Sequence, residues 1–202
     1  MDLELFRQKA HEVVDWMVDY FKTIENLPVK SQVKPGEIIS QLPNSPPEKG
    51  EPFENLMKDF NQIIMPGITH WQHPSYFAYF NANNSFPSIL GEMLTAALGA
   101  QCMSWQTSPA AAELEERVMQ WTGELIGLPK DFTGVIQDTA STATLCSLLT
   151  AREKLTDFTI NRKGFNGNDP LRNYCTSGPY SSLENAVKIA GFIILPPQAA
   201  HQ

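Results

Sequence analysis

The sequence predicts an α/β protein, a helical segment followed by a domain in which helices alternate with short strands of a mostly parallel sheet. Three observations predict it. Apolar residues keep helical spacing early in the chain with almost no sheet-like run before residue 76, and the pattern changes after the aromatic cluster Tyr76-Phe77-Ala78-Tyr79-Phe80. Beyond that cluster, helix starts and stops recur with strand-like runs between them, the signature of right-handed crossovers feeding a parallel sheet.

The elements follow in order. From Leu5 to about Ile24, Phe6, Ala10, Val13, Val14, Met17, Tyr20 and Phe21 share one helical face with charges between them, which predicts a long amphipathic helix. A second helix is expected from about Phe53 to Ile64, ended by Pro66-Gly67. Pro35-Gly36, Pro43, Pro46-Pro47 and Gly50-Glu51-Pro52 make the connector between them irregular. Two helices with one apolar face each and no sheet do not close a core, so this segment is expected to clamp onto another surface, a second copy of the chain included.

After the aromatic cluster, Ile89, Leu90, Met93, Leu94 and Leu98 predict a helix following Pro87. Another is expected to start at Ser108-Pro109, with Ser108 as its cap, an inner stripe of Leu114, Val118, Trp121 and Leu125, and a stop at Gly127-Leu128-Pro129. Next come a short strand ending near Gln137, a helix from about Ser141 to Lys154, and a polar loop from Asn161 to Pro170. A strand over Arg172–Ser177, a helix capped at Ser181 or Ser182, and a strand starting at Phe192-Ile193-Ile194-Leu195 complete the reading. The strands are few. The implied division is 1–75 for the helical clamp, 76–191 for a partial α/β domain and 192–202 for an atypical tail.

Composition bounds the function. With 42% hydrophobic and 18% charged residues the chain is an ordinary globular one, and its net charge of −7 argues against nucleic acid and anionic membrane as partners. The acidic, helix-patterned N-terminus reads as neither a signal nor a transit peptide, and no stretch is apolar enough to span a bilayer. Cys102, Cys146 and Cys175 are odd in number and widely spaced, which suits free thiols and a cytoplasmic location.

The stretch from Gly134 to Thr144 carries the most chemistry. An apolar run breaks into Asp138-Thr139-Ala140-Ser141-Thr142 where an amphipathic helix begins, so free N–H groups, the positive end of the helix dipole and short hydroxyls converge on one point. That combination suits a phosphate. The same residues also suit an ordinary N-cap, and both readings stay open on this stretch alone. A ligand held there would place a flat ring near Tyr180, which precedes the second helix N-terminus and offers a stacking face. His70 and His73 lack a nearby third ligand and read as structural or pocket-lining, not as a metal site. Glu113, Glu115 and Glu116 read as a solvated helix face.

Several motifs in register carry a family resemblance. Ile64-Met65-Pro66-Gly67-Ile68-Thr69-His70-Trp71, His73-Pro74 and the Tyr76–Phe80 cluster are followed by Ser104-Trp105, Ser108-Pro109-Ala110, Glu113-Leu114-Glu115, Gly134-Val135-Ile136-Gln137 and Thr139-Ala140-Ser141. Tyr174-Cys175, Ser181-Ser182 and Ala186-Val187-Lys188-Ile189-Ala190-Gly191 continue the order. Together they resemble the N-terminal part of the pyridoxal-phosphate-dependent group II amino acid decarboxylases, most of all those acting on aromatic L-amino acids.

The resemblance implies an aspartate-aminotransferase-like (type I) large domain, truncated, behind a dimerising helical segment. It implies pyridoxal 5′-phosphate as cofactor, with Thr139, Ala140 and Ser141 at its phosphate and Tyr180 over its ring. It further implies an aromatic amino acid as substrate, lined by Trp71, Tyr79 and Phe80, and a homodimer in which Gln101 and Met103 reach a neighbouring pocket. Two departures follow. The family's stacking His is replaced by Tyr180, which stacks but has no imidazole for proton traffic. The lysine that forms the Schiff base and the carboxylate that pairs with the pyridine nitrogen belong to a later region of the family's sequence, and Lys188 matches neither. The 202 residues alone are therefore expected to be inactive, with a non-catalytic dimerisation module as the alternative function and a binder of another phosphorylated ligand as a third.

Overall fold

A computed structural model describes residues 1–81, 84–165, 170–175 and 181–195. The chain forms two compact units, Met1–Leu94 and Thr95–Gln202.

In the first unit α1 runs over Leu3–Thr23. Its start is fixed by Asp2, whose carboxylate accepts the Leu5 N–H at 2.8 Å. Glu4 in the first turn and Lys22 in the last oppose the helix dipole with favourable charge. The second helix, α2, spans Phe53–Asp59 and continues as a π turn over Phe60–Ile64 and a 3₁₀ turn over Met65–Gly67. Lys9 of α1 is buried and pairs with Glu12 at 3.0 Å and with Glu54 of α2. These carboxylates hold its ammonium above the usual lysine range. Trp16 donates its indole N–H to Asn61 at 2.9 Å and meets Phe60 edge-on at 5.2 Å. The wider π turn brings Phe60 and Asn61 under the same indole.

The third helix, α3, covers Phe86–Leu98. Its expected apolar set is largely uncovered, with Leu90, Met93, Leu94 and Leu98 all exposed. In the second unit α4 spans Pro109–Leu125, with Pro109 in the first turn as expected. Ser108 sits at the cap position but its hydroxyl makes no capping bond. The stripe Leu114, Trp121 and Leu125 is not turned inward; all three are exposed.

The strand expected to end near Gln137 is absent from the sheet. Residues 132–137 form no regular element, and the Ile136 N–H donates not to a neighbouring strand but to the Glu115 carboxylate at 2.6 Å. Helix α5 follows over Ala140–Leu155. A short helix, α6, covers Thr159–Lys163 and overlaps the start of the stretch read as a loop. It forms because Asp157 and Phe158 turn the chain with φ of 46° and 57°, and Glu153 of α5 accepts the Asn161 N–H at 3.0 Å.

Strand β1, Arg172–Tyr174, pairs in parallel with β2, Ile193–Leu195, and α7, Ser181–Ile189, crosses between them. Arg172 lies opposite Ile193 and Tyr174 opposite Leu195. The parallel expectation holds; residues 176 and 177 of the expected strand lie outside the described residues. The core of this unit sits where α7 meets α5, around Ala186, Val187 and Ala190, each no more than 3% exposed. Two alanines allow close helix approach, and Val187 adds about 2 kcal/mol of burial.

Candidate functional site

Thr139 is extended, at φ −145° and ψ 160°, and its Oγ1 accepts the Thr142 N–H at 3.2 Å. It is thus a working N-cap, and its hydroxyl lies 3.1 Å from that of Thr142. The cap does not close the site. Ala140 and Ser141 follow as the first two helical residues, both exposed. Their N–H groups have no helical partner, and no acceptor for them occurs among the described residues.

Ser141 opens on a groove of about 340 Å³ between α5 and α7. Thr142 and Leu145 line it from α5, and Ser182, Asn185 and Ala186 from α7. No carboxylate lines it, and its α5 wall begins in the first turn of that 16-residue helix, where the positive end of the dipole lies. Of the expected phosphate residues Ser141 lines it and Thr139 and Ala140 do not; its own donors, the hydroxyls of Ser141, Thr142 and Ser182 and the Asn185 amide, suit a phosphate. Thr142 belongs to the hydroxyl stretch and Ser182 to the second helix start that the sequence points to, whereas Asn185 carries no sequence signal. Their contribution depends on the angle at which α7 crosses α5, which no local pattern encodes.

Tyr180 lies outside the described residues. Lys188 is not on the groove; its ammonium pairs with Glu184 one turn back on an exposed face, which holds that carboxyl below its usual range.

The aromatic candidates belong to the first unit. Trp71 and Tyr79 stack with ring centroids 5.9 Å apart, and Tyr76 lies 5.0 Å from Trp71 on a tilt. Tyr79 has φ of 58°, and Asn81 ties the turn by donating to the Trp71 carbonyl at 3.1 Å. Phe80 stands 93% exposed, so Trp71 and Tyr79 are brought together and Phe80 stands apart from them.

His70 is 3% exposed and its Nδ1 lies 2.9 Å from the Tyr20 hydroxyl, while His73 Nδ1 accepts the Ser75 N–H at 2.9 Å. Burial, and secondarily the charge of His73, lowers the pKa of His70. Both histidines are structural. On α4, Glu113 and Glu116 are exposed as expected of a solvated face and Glu115 is half-buried; Glu113 accepts the Trp105 indole N–H at 2.8 Å and Glu115 the Ile136 N–H.

A phosphate-fitting groove between two helices of a parallel α/β unit defines a class of ligand-binding domain, and comparison with known proteins gives the family. Residues 35–195 match the pyridoxal-dependent decarboxylase conserved domain. The chain belongs to this family, and pyridoxal phosphate is the family's cofactor.

Among its relatives, phenylacetaldehyde synthase of Petunia hybrida is 44% identical over 197 residues, covering 95% of this chain and 38% of that protein. Catharanthus roseus tryptophan decarboxylase in complex with L-tryptophan superposes with a TM-score of 0.85 at 36% identity, over 98% of this chain and 42% of that one. The Oryza sativa enzyme TDC with PLP and tryptamine gives 0.84 at 31% identity, over 97% and 44%. The chain therefore spans about two fifths of the length of these relatives. Its fold is that of a partial large domain of this family.

Proposed function

We propose that this chain is the N-terminal portion of a pyridoxal-phosphate-dependent enzyme acting on an aromatic L-amino acid, converting it to an amine and carbon dioxide. The observation that carries the reading is the carboxylate-free groove between α5 and α7, with Ser141 and Ser182 on opposite walls. Ser141, the Ala140 and Ser141 N–H groups and Ser182 would hold the phosphate; Thr139 fixes the helix start beneath it. When bound, pyridoxal phosphate supplies the electron sink for the pair left by the departing carboxylate. Tyr180 would lie over its ring, and Trp71, Tyr79 and Phe80 would meet the aromatic side chain of the substrate. Free Cys102, Cys146 and Cys175 suit a reducing, cytoplasmic setting.

The covalent lysine is the missing piece of chemistry. Lys188 is committed to Glu184 and faces away from the groove, so the 202 residues alone are expected to hold the cofactor and release no amine. The test mixes the purified chain with pyridoxal phosphate and an aromatic amino acid, follows the absorbance, traps any lysine adduct with borohydride and assays amine. Cofactor retention that Ser141→Ala weakens, without turnover, supports the reading. Turnover with one specifically labelled lysine overturns the claim of inactivity.

A second reading is a non-catalytic module that pairs with full-length subunits. It is favoured by a cavity of about 450 Å³ lined by Val14, Met17, Phe21, Phe86, Ile89 and Leu90, an apolar surface that the first unit leaves open. A stable complex with a full-length subunit, formed by a chain that retains no cofactor, selects it.

A further inference from the structure

The groove has two ends of control. At its open end lie Ser141 and Ser182; at the far end of the same helix pair lies Arg152, three turns along α5. Arg152 donates from Nη1 to the Ala190 carbonyl at 3.0 Å, just past the last residue of α7. This is the one hydrogen bond between α5 and the end of α7 among the described residues.

The guanidinium is itself fixed from three sides. Glu153 accepts its Nε–H at 2.9 Å and its Nη2 at 2.8 Å. The other Glu153 oxygen takes the Asn161 N–H of α6, so the carboxylate is anchored to a second element. The Phe165 ring lies 5.3 Å from the guanidinium carbon and also packs on Gly191, where an added Cβ would come within 2.4 Å of the ring. A planar, multidentate cation held this way leaves α7 little freedom to slide or tilt along α5.

We propose that Arg152 is a positioning residue for the phosphate grip: by holding the carbonyl end of α7 it sets the spacing of Ser141 and Ser182 across the groove. It touches no ligand itself. The inference rests on the assignment of that groove to the cofactor phosphate. A rigid pair of helices presents both hydroxyls to one phosphate without a reorganisation cost; a loosened pair does not.

The test uses the whole chain and two probes, deoxypyridoxine phosphate, which lacks the aldehyde and so forms no bond to lysine, and deoxypyridoxine without the phosphate. Affinities are measured by equilibrium dialysis for the wild type, Arg152→Met and Arg152→Lys, with thermal unfolding as a check on folding. Arg152→Met is expected to weaken the phosphate ester about tenfold, the worth of one hydrogen bond from a charged donor, and to leave the phosphate-free probe unchanged. Arg152→Lys keeps one donor and is expected to recover part of the loss; where the methionine variant does not fold, the lysine variant decides. Unchanged affinity for the ester, or equal loss for both probes, overturns the positioning role. A wild-type chain that binds the two probes equally overturns instead the groove assignment, so the two failures are told apart.

Discussion

Single side chains in this protein are recruited away from what their neighbours in sequence imply. Glu115 looks like one of three solvent-facing acids, yet it takes the Ile136 N–H, a donor that a strand at 135–137 would have used in a ladder. His70, read from the sequence as structural or pocket-lining, is buried against Tyr20. Its lowered pKa has a stability consequence whose sign follows from linkage. The folded chain resists protonation below the ordinary value of 6.5, so the unfolded chain takes up the proton first as pH falls. Stability of the first unit is therefore full above that value and declines as pH drops through it toward the lower folded value. Thermal unfolding from pH 7.5 to pH 5 checks this; a His70→Gln variant is expected to flatten the slope over that range, and an unchanged slope would place the proton elsewhere.

At the scale of elements, what was legible in the sequence is what depends on a residue and its near neighbours. The 3.6-residue spacing located α1, α2, α4, α5 and α7, and the hydroxyls at 139 and 141 located the start of α5. Those features are local. The misses are contacts between distant residues: α6 depends on a carboxylate from α5, the groove on the crossing of α5 and α7, and the Arg152 contact on a carbonyl 38 residues away. Gly191 shows the same dependence and can be tested. It has φ of 78° and no room for a Cβ beside Phe165. Gly191→Ala is expected to cost the second unit about 1–2 kcal/mol from backbone conformation alone, with the ring contact in addition. Urea unfolding followed by circular dichroism measures it, and a loss near zero would mean that the turn after α7 relaxes freely.

Across the two units, large apolar side chains stand open. Leu90, Leu94 and Leu98 of α3, Leu114 and Leu125 of α4, and Phe77 and Phe80 are all more than half exposed, far more apolar surface than singly scattered residues. Faces of this kind are expected to be covered by more protein. Sedimentation velocity is expected to show a self-associating chain, and Leu90→Glu, which puts a charge in the groove of α1 and α3, is expected to shift it to monomer. A monomer before the substitution would argue against that groove as the contact.

The two-strand sheet has its own consequence. Among the described residues β1 and β2 each have one neighbour, so on their outer sides both leave backbone donors and acceptors without a ladder. Water satisfies these groups only weakly once hydrophobic side chains crowd round them, whereas another extended segment satisfies them in register. The sheet thus presents two open edges on which a further extended segment can pair.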